Sequence, residues 1–173
     1  HLAGRRENVL AATAESITQA SGRPVHTHVC DVRDADAVDR TIDAIFAIGP
    51  LDILVNNAAA NFVARSESLS MRAVNAVIGA TMNGAIHCTW ACGRRWISQQ
   101  RRGVVLSILS TSTITGRAFT TPSSIAKSGV LAMTRSLAVE WGPRGIRLAA
   151  IAPGPFPTPG AWARLRPGDR DKS

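Results

Sequence analysis

The sequence predicts an α/β fold on a parallel sheet, and three observations carry that expectation. Segments of helical period alternate along the chain with short apolar runs. Runs such as residues 53–55 are not interleaved with polar residues, the pattern of strands buried on both faces. Residues able to do chemistry, Asp31, Asn56, Asn57, Ser110, Pro153 and Gly154, come at the ends of the runs. With 173 residues, 45% hydrophobic and 18% charged, the chain has the material for one soluble globular domain, residues 1–173.

Residues 7–20 have helical period, with Val9, Leu10, Ala14 and Ile17 on one side, and Ser21-Gly22 stops them. Residues 25–32 read as a strand that carries Asp31 at its end. Residues 35–48 return to helix through Val38, Ile42, Ile45 and Phe46, and Gly49-Pro50 breaks it. The strand at 53–55 ends in Asn56-Asn57. A long helical stretch, 69–100, follows, then a strand at 104–109, a helix at 123–141 and a last strand at 146–151 before Pro153-Gly154. Strand followed by helix, repeated in this way, makes the sheet doubly wound, and such sheets bind ligands beyond the carboxyl ends of their strands. One cleft at that edge accounts for Asp31, Asn56-Asn57, Ser110 and Pro153-Gly154 together. The start, His1-Leu-Ala-Gly-Arg-Arg, has no initiator Met, no apolar signal core and no lead-in to its first helix, so it reads as a cut edge.

Composition excludes several functions. No tract approaches the roughly 18 apolar residues of a membrane span. The net charge of +8 comes from dispersed arginines, and aromatics are only 5%, so no stacking platform for nucleic acid accompanies it. A coenzyme phosphate needs fewer cations and explains as much. Cys30, Cys88 and Cys92 are odd in number and in apolar settings, which fits a reducing, cytoplasmic compartment better than a disulfide framework. His87, Cys88 and Cys92 are too few for a closed zinc site, so no metal is expected.

Lys127 carries the clearest chemical signal. It is the only lysine before Lys172, in a chain whose other cations are arginines. A compact ammonium with rotatable donors can grip paired ribose hydroxyls, and its pKa is more readily tuned than that of a guanidinium. The alternative is a solvated helix lysine. Its neighbours favour a site: Ser110 stands thirteen places before Ser123, and Ser123 four before Lys127.

Leu51-Asp-Ile-Leu-Val-Asn-Asn-Ala-Ala, the Ser110, Ser123 and Lys127 spacing, and Pro153-Gly-Pro-Phe-Pro-Thr158 together resemble the short-chain dehydrogenase/reductase superfamily. Asn57-Ala-Ala-Ala-Asn61-Phe62 and Leu137-Ala-Val-Glu-Trp-Gly-Pro narrow the resemblance to the 2,4-dienoyl-CoA reductases. It implies a Rossmann-type sheet, here incomplete, without the first strand and its glycine-rich turn. It also implies NADPH as cofactor, an acyl-CoA substrate of fatty acid β-oxidation, and pairing of long helices into a homo-oligomer, a tetramer in the family.

Most of the superfamily has a tyrosine acid where this chain has Ser123, and the sequence contains no tyrosine. A serine hydroxyl is a far weaker acid than a phenol of pKa near 10, which disfavours ordinary ketone reduction. The dienoyl-CoA reductases also lack that tyrosine. By the same resemblance Asn61 donates to the substrate oxyanion, Ser112 stands where one branch has a second donor, a tyrosine, and Thr81 where another branch has an acid. Arg5 matches the partner of the NADPH 2′-phosphate and Asp31 the adenine contact. Asn57, Pro153, Gly154, Pro155, Phe156 and Thr158 join the cofactor site, and Arg33, Phe62, Ser70 and Arg164 receive the acyl-CoA. Blander roles stand beside these: Ser70 as a helix cap, Asn61 as a turn residue, Phe62 as packing, Arg33 as a solvated charge, and Asn56-Asn57 as ties between strand ends. A non-catalytic remnant keeping only its oligomerisation helices is the alternative function. Without the preceding strands, residues 51–160 are expected to keep a three-strand core, and residues 1–49 to pack loosely or in a position unlike the family's.

Overall fold

A computed structural model describes residues 1–154. Three of its strands, β3 (Ile53–Asn56), β4 (Gly103–Ile108) and β5 (Ile146–Ile151), form a parallel sheet in that order. Register runs Ile53 to Val104 and Gly103 to Ile146. Two further strands, β1 (Leu2–Gly4) and β2 (Thr27–Val29), make a separate parallel pair.

Local chemistry sets the helices between them. α1 (Glu7–Ser21) closes on Gly22, whose φ of 67° is the left-handed conformation that glycine adopts without a Cβ penalty. α2 (Ala35–Ile48) opens on Asp34, whose carboxylate accepts from the amides of Asp36 and Ala37 at 3.0 Å each. α3 (Met71–Ile78) runs through a π turn (Gly79–Asn83) into α4 (Gly84–Ser98). A short α5 (Ser112–Thr115) precedes α6 (Thr121–Trp141), which has Pro122 in its first turn, where no intrahelical donor is lost.

The core lies where α2, α4 and α6 meet the three-stranded sheet, around Val38, Ile42, Ile45, Trp96, Val105, Val130, Leu137, Trp141 and Ile146. Trp96 is fully buried, and its indole N–H finds the Leu51 carbonyl at 2.6 Å. Arg95 of α4 reaches α2, bonding Asp39 at 3.0 Å and Asp43 at 2.7 Å. Residues 1–49 are therefore not uniformly loose: α2 contributes Val38, Ile42 and Ile45 to the main core. Only the β1–β2 pair stands apart from the three-stranded sheet.

Two elements differ from the sequence reading. The strand expected at 25–32 shrinks to Thr27–Val29, so Asp31 lies in the turn beyond it. Its partner β1 was not foreseen, because three residues carry no period of their own. Pairing makes them a strand, with Leu2 N–H on the His26 carbonyl at 2.8 Å and Cys30 N–H on Gly4 at 2.9 Å. The first helix thus has a strand leading into it.

Candidate functional site

Parallel strands leave their carboxyl ends at one edge, and the loops that follow them build a cavity of about 580 Å³ there. Gly4, Arg5 and Arg6 enter it from β1, Cys30 to Arg33 from β2, Ala58, Ala59 and Ala60 from β3, and Ala80 from the π turn. Asp31 and Arg33 form a two-pronged pair in its wall, with the Arg33 Nη2 on the Asp31 Oδ2 at 2.5 Å and Nε on Oδ1 at 2.9 Å. The hydrogen bonds from Arg33 hold the Asp31 carboxyl below its ordinary range despite partial burial, and the Arg5 charge adds a smaller push in the same direction. Arg5 bonds to no described carboxylate. The result is an apolar alanine floor bordered by guanidinium groups and one ionised carboxylate.

A second cluster stands at the end of β4. The hydroxyl of Ser112 donates to that of Ser110 at 3.1 Å, and the Ser112 N–H points to the same oxygen at 3.4 Å. Pro153 joins this cluster through its carbonyl, which accepts from the Thr111 N–H at 3.4 Å. Gly154 is exposed beside it. Lys127 is 8% exposed on α6 and donates from Nζ to the Ile108 carbonyl at the end of β4. Burial lowers its pKa, and no described carboxylate opposes the shift. Ser123 is half-buried one helical turn earlier. No hydrogen bond among the described residues joins Lys127 to Ser110, Ser112 or Ser123.

Other expected positions separate into roles. Asn56 is 9% exposed and ties elements together, its amide donating to the Thr89 hydroxyl at 2.9 Å and to Ser107 at 3.4 Å. Asn57 faces a different cavity, between β1 and β3. Asn61 and Phe62 are exposed on the loop after the alanine floor. Ser70 accepts from the Ala73 N–H at 3.2 Å, so it caps α3. Arg33, expected among the acyl-CoA contacts, lines the same cavity as Arg5. Thr81 is buried, with its hydroxyl on the Ala60 backbone, and does not present an acid. Pro155, Phe156, Thr158 and Arg164 lie outside the described residues.

Sequence reasoning missed Arg6 and the alanine floor, whose signal is only a run of small residues after a strand. It also missed Phe119, a non-glycine residue at φ 65° whose carbonyl accepts from the Ala64 N–H at 3.1 Å, tying the loop after β3 to the start of α6. Nothing in its sequence context announces that conformation. Burial pushes the Cys88 thiol to about 11 and the Cys92 thiol to about 12, which disfavours the reactive thiolate at both. Among the described residues no group of three or more His, Cys, Asp or Glu side chains is placed to hold a metal. No described helix is long and apolar enough to cross a membrane.

A family model described as short chain dehydrogenase matches residues 1–167. A probable 2,4-dienoyl-CoA reductase 3, (3E)-enoyl-CoA-producing, of Caenorhabditis elegans is 40% identical over 171 residues, 97% of this chain and 55% of that protein. A probable 2,4-dienoyl-CoA reductase, (2E)-enoyl-CoA-producing, of Bacillus subtilis is 42% identical over 164 residues, 94% of this chain and 64% of that protein. The chain thus spans little more than half the length of these curated relatives. Among solved structures, an NAD+-bound xylitol dehydrogenase superposes with a TM-score of 0.89 at 26% identity, covering 95% of this chain and 63% of that one. A gluconate 5-dehydrogenase from Burkholderia cenocepacia in complex with NADP and tartrate gives 0.87 at 26% identity, covering 98% and 65%. The fold, the strand-end cavity and these likenesses agree: the chain belongs to the short chain dehydrogenase family.

Proposed function

We propose that the chain is part of an NADPH-dependent reductase of unsaturated acyl-CoA, of the 2,4-dienoyl-CoA kind that serves fatty acid β-oxidation. The observation that carries this reading is Ser123 one turn before the buried Lys127, in a chain with no tyrosine. Such a site has no phenol to protonate an alkoxide, yet it is rich in neutral donors and holds one buried cation. That combination suits a reaction whose negative charge spreads onto a thioester oxygen, with a carbon protonated afterwards. Asn61 supplies an amide donor toward that oxygen and Ser112 a hydroxyl, and losing one such donor typically costs about 3 kcal/mol of transition-state stabilisation.

The lining of the strand-end cavity suits the adenosine end of a dinucleotide. Its alanine floor leaves room for an adenine, the Asp31 carboxylate can accept from an exocyclic amine, and Arg5 offers a fork to a ribose 2′-phosphate. When bound, the nucleotide supplies hydride. Lys127 would hold the ribose hydroxyls with its ammonium, and Pro153 and Gly154 would offer backbone groups to the nucleotide. Phe62, exposed on the loop after β3, and Arg33 would be the groups offered to an acyl-CoA. Free thiols suit the reducing cytoplasm. Ile125 and Val139, 51% and 80% exposed and fourteen residues apart on α6, offer a face for pairing subunits in a homo-oligomer.

The test is spectrophotometric consumption of NADPH and of NADH with a 2,4-dienoyl-CoA and, separately, a 3-ketoacyl-CoA. Dienoyl-CoA reduction with NADPH preferred is expected of the full-length protein that contains this chain, and Arg5→Ala should remove the preference. Turnover of the ketoacyl thioester alone would overturn the reading in favour of a general ketoreductase.

A further inference from the structure

His87 stands in the sequence beside two cysteines, and nothing in the site described above uses it. It is half-buried on α4, three residues after Gly84 and so on the same face of the helix. Its Nδ1 meets the Val32 carbonyl at 2.9 Å. A carbonyl only accepts, so Nδ1 carries the proton and the neutral ring is held in its Nδ1–H tautomer. No other described donor reaches that carbonyl. Gly84 lets the helix come this close, since a Cβ there would stand 2.6 Å from Val32 Cγ2.

Val32 lies in the turn after β2, between the two partners of the Asp31–Arg33 ion pair. That turn is braced from within: the Asp31 carboxylate accepts from the Arg33 N–H at 3.1 Å, and the Asp31 carbonyl from the Asp34 N–H at 3.0 Å. Arg5, Arg6, Asp31 and Arg33 therefore belong to one unit, residues 1–33, whose two strands pair only with each other. The alanine floor, the serine cluster and Lys127 belong to residues 50–154. Among the described residues, the contact from His87 to Val32 is the one hydrogen bond that joins these two parts. A ligand that touches Asp31 and Arg5 at one end and Lys127 at the other needs them at a fixed separation.

We propose that His87 is a positioning residue, which fixes the turn carrying Asp31 and Arg33 against α4 and so sets the spacing between the adenosine wall of the cavity and Lys127. The proposal rests on the reductase reading above. It adds a residue that acts through the Val32 backbone and touches neither nucleotide nor acyl thioester.

Nitrogen-15 NMR of wild type, above the pH range in which imidazole charges, reads the tautomer directly, and the Nδ1–H form is expected for His87. The Nε2–H form would overturn the proposal, because Nδ1 could not then donate. In the full-length protein that contains this chain, NADPH affinity is titrated by fluorescence for wild type, His87→Phe and His87→Asn. Phenylalanine keeps a ring and removes the donor, whereas asparagine keeps a donor where Nδ1 stood. Removing the donor should weaken NADPH binding about tenfold, the scale of one lost hydrogen bond, and asparagine should recover affinity to within about threefold of wild type. Wild-type affinity in His87→Phe would overturn the proposal, and so would equal losses in the two variants, which would assign the effect to packing of the ring. Full-length wild type that binds no NADPH would sink the reductase reading instead. Hydrogen exchange at the Asp34 amide would then still decide on His87: faster exchange in His87→Phe supports its hold on the turn, and unchanged exchange overturns it.

Discussion

Lys127 shows how one buried cation couples site and stability. Its ammonium is removed from water with a single carbonyl as described partner, so its folded pKa falls below its unfolded one. The unfolded chain then binds more protons than the folded chain between those two values, and stability rises with pH across that window. Urea unfolding of wild type should show this rise on the alkaline side, and Lys127→Met should lack it. A variant with the same slope would place the depressed group elsewhere. Gly93 makes a second residue-scale case, for a Cβ there would meet the Trp141 ring at 2.4 Å. The ring is a packed core group, so Gly93→Ala should destabilise by about 1–3 kcal/mol through overpacking. Thermal unfolding reads that directly, and an unchanged midpoint would mean that α4 and α6 can part at no cost.

At the scale of elements, α2 and α4 are joined by an ion-pair network as well as by apolar packing. Arg95, largely buried, bonds both Asp39 and Asp43, and Arg94 adds a contact to Asp39 at 3.0 Å. The hydrogen bond from Arg95 is the chief reason that the Asp39 pKa is lowered, with burial opposing it and Arg94 assisting. A carboxylate with a depressed folded value stabilises the fold above its unfolded value and ceases to do so as pH falls through the folded one. Because Asp39 is 41% exposed, solvent screens the pair, and Asp39→Asn should cost no more than about 1 kcal/mol near neutrality. The difference between variant and wild type should close below the ordinary carboxylate range. A gap that persists under acid would assign the effect to geometry rather than charge.

Over the whole molecule, the parallel strands fall into two groups separated by a cavity of about 580 Å³. Leu2 and Ala3 of β1 line one side, Ile53 to Asn56 of β3 the other, and Ile42, Ile45 and Ala85 the walls. Both edges facing the cavity lack a partner strand among the described residues, and Ile53 and Val55 are more than half exposed on β3. Unpaired edges of this kind template association. The chain of residues 1–173 should therefore associate with rising concentration, and the charged pair Ile53→Lys with Val55→Lys should suppress this in light scattering. Undiminished association in that variant would move the contact to another surface, such as the α6 face around Val139.

The sequence by itself determined the alternation of strand and helix, the three-stranded core, the long helix from Met71 and the family, because apolar periodicity and the spacing of Ser110, Ser123 and Lys127 are local signals that survive in one dimension. It did not reveal β1, since Leu2–Gly4 is a strand only through the hydrogen bonds that β2 supplies. Tertiary structure alone decided that Arg33 joins Arg5 in one cavity, that Asn56 is tied inward to Thr89 while Asn57 faces another space, and that Phe119 adopts a positive φ. It also decided that Thr81 anchors Ala60 instead of closing on its own helix. In each case the deciding partner lies on another element, tens of residues away, and no pattern along the chain records which backbone group a hydroxyl, an amide or a guanidinium will meet once the strands are side by side.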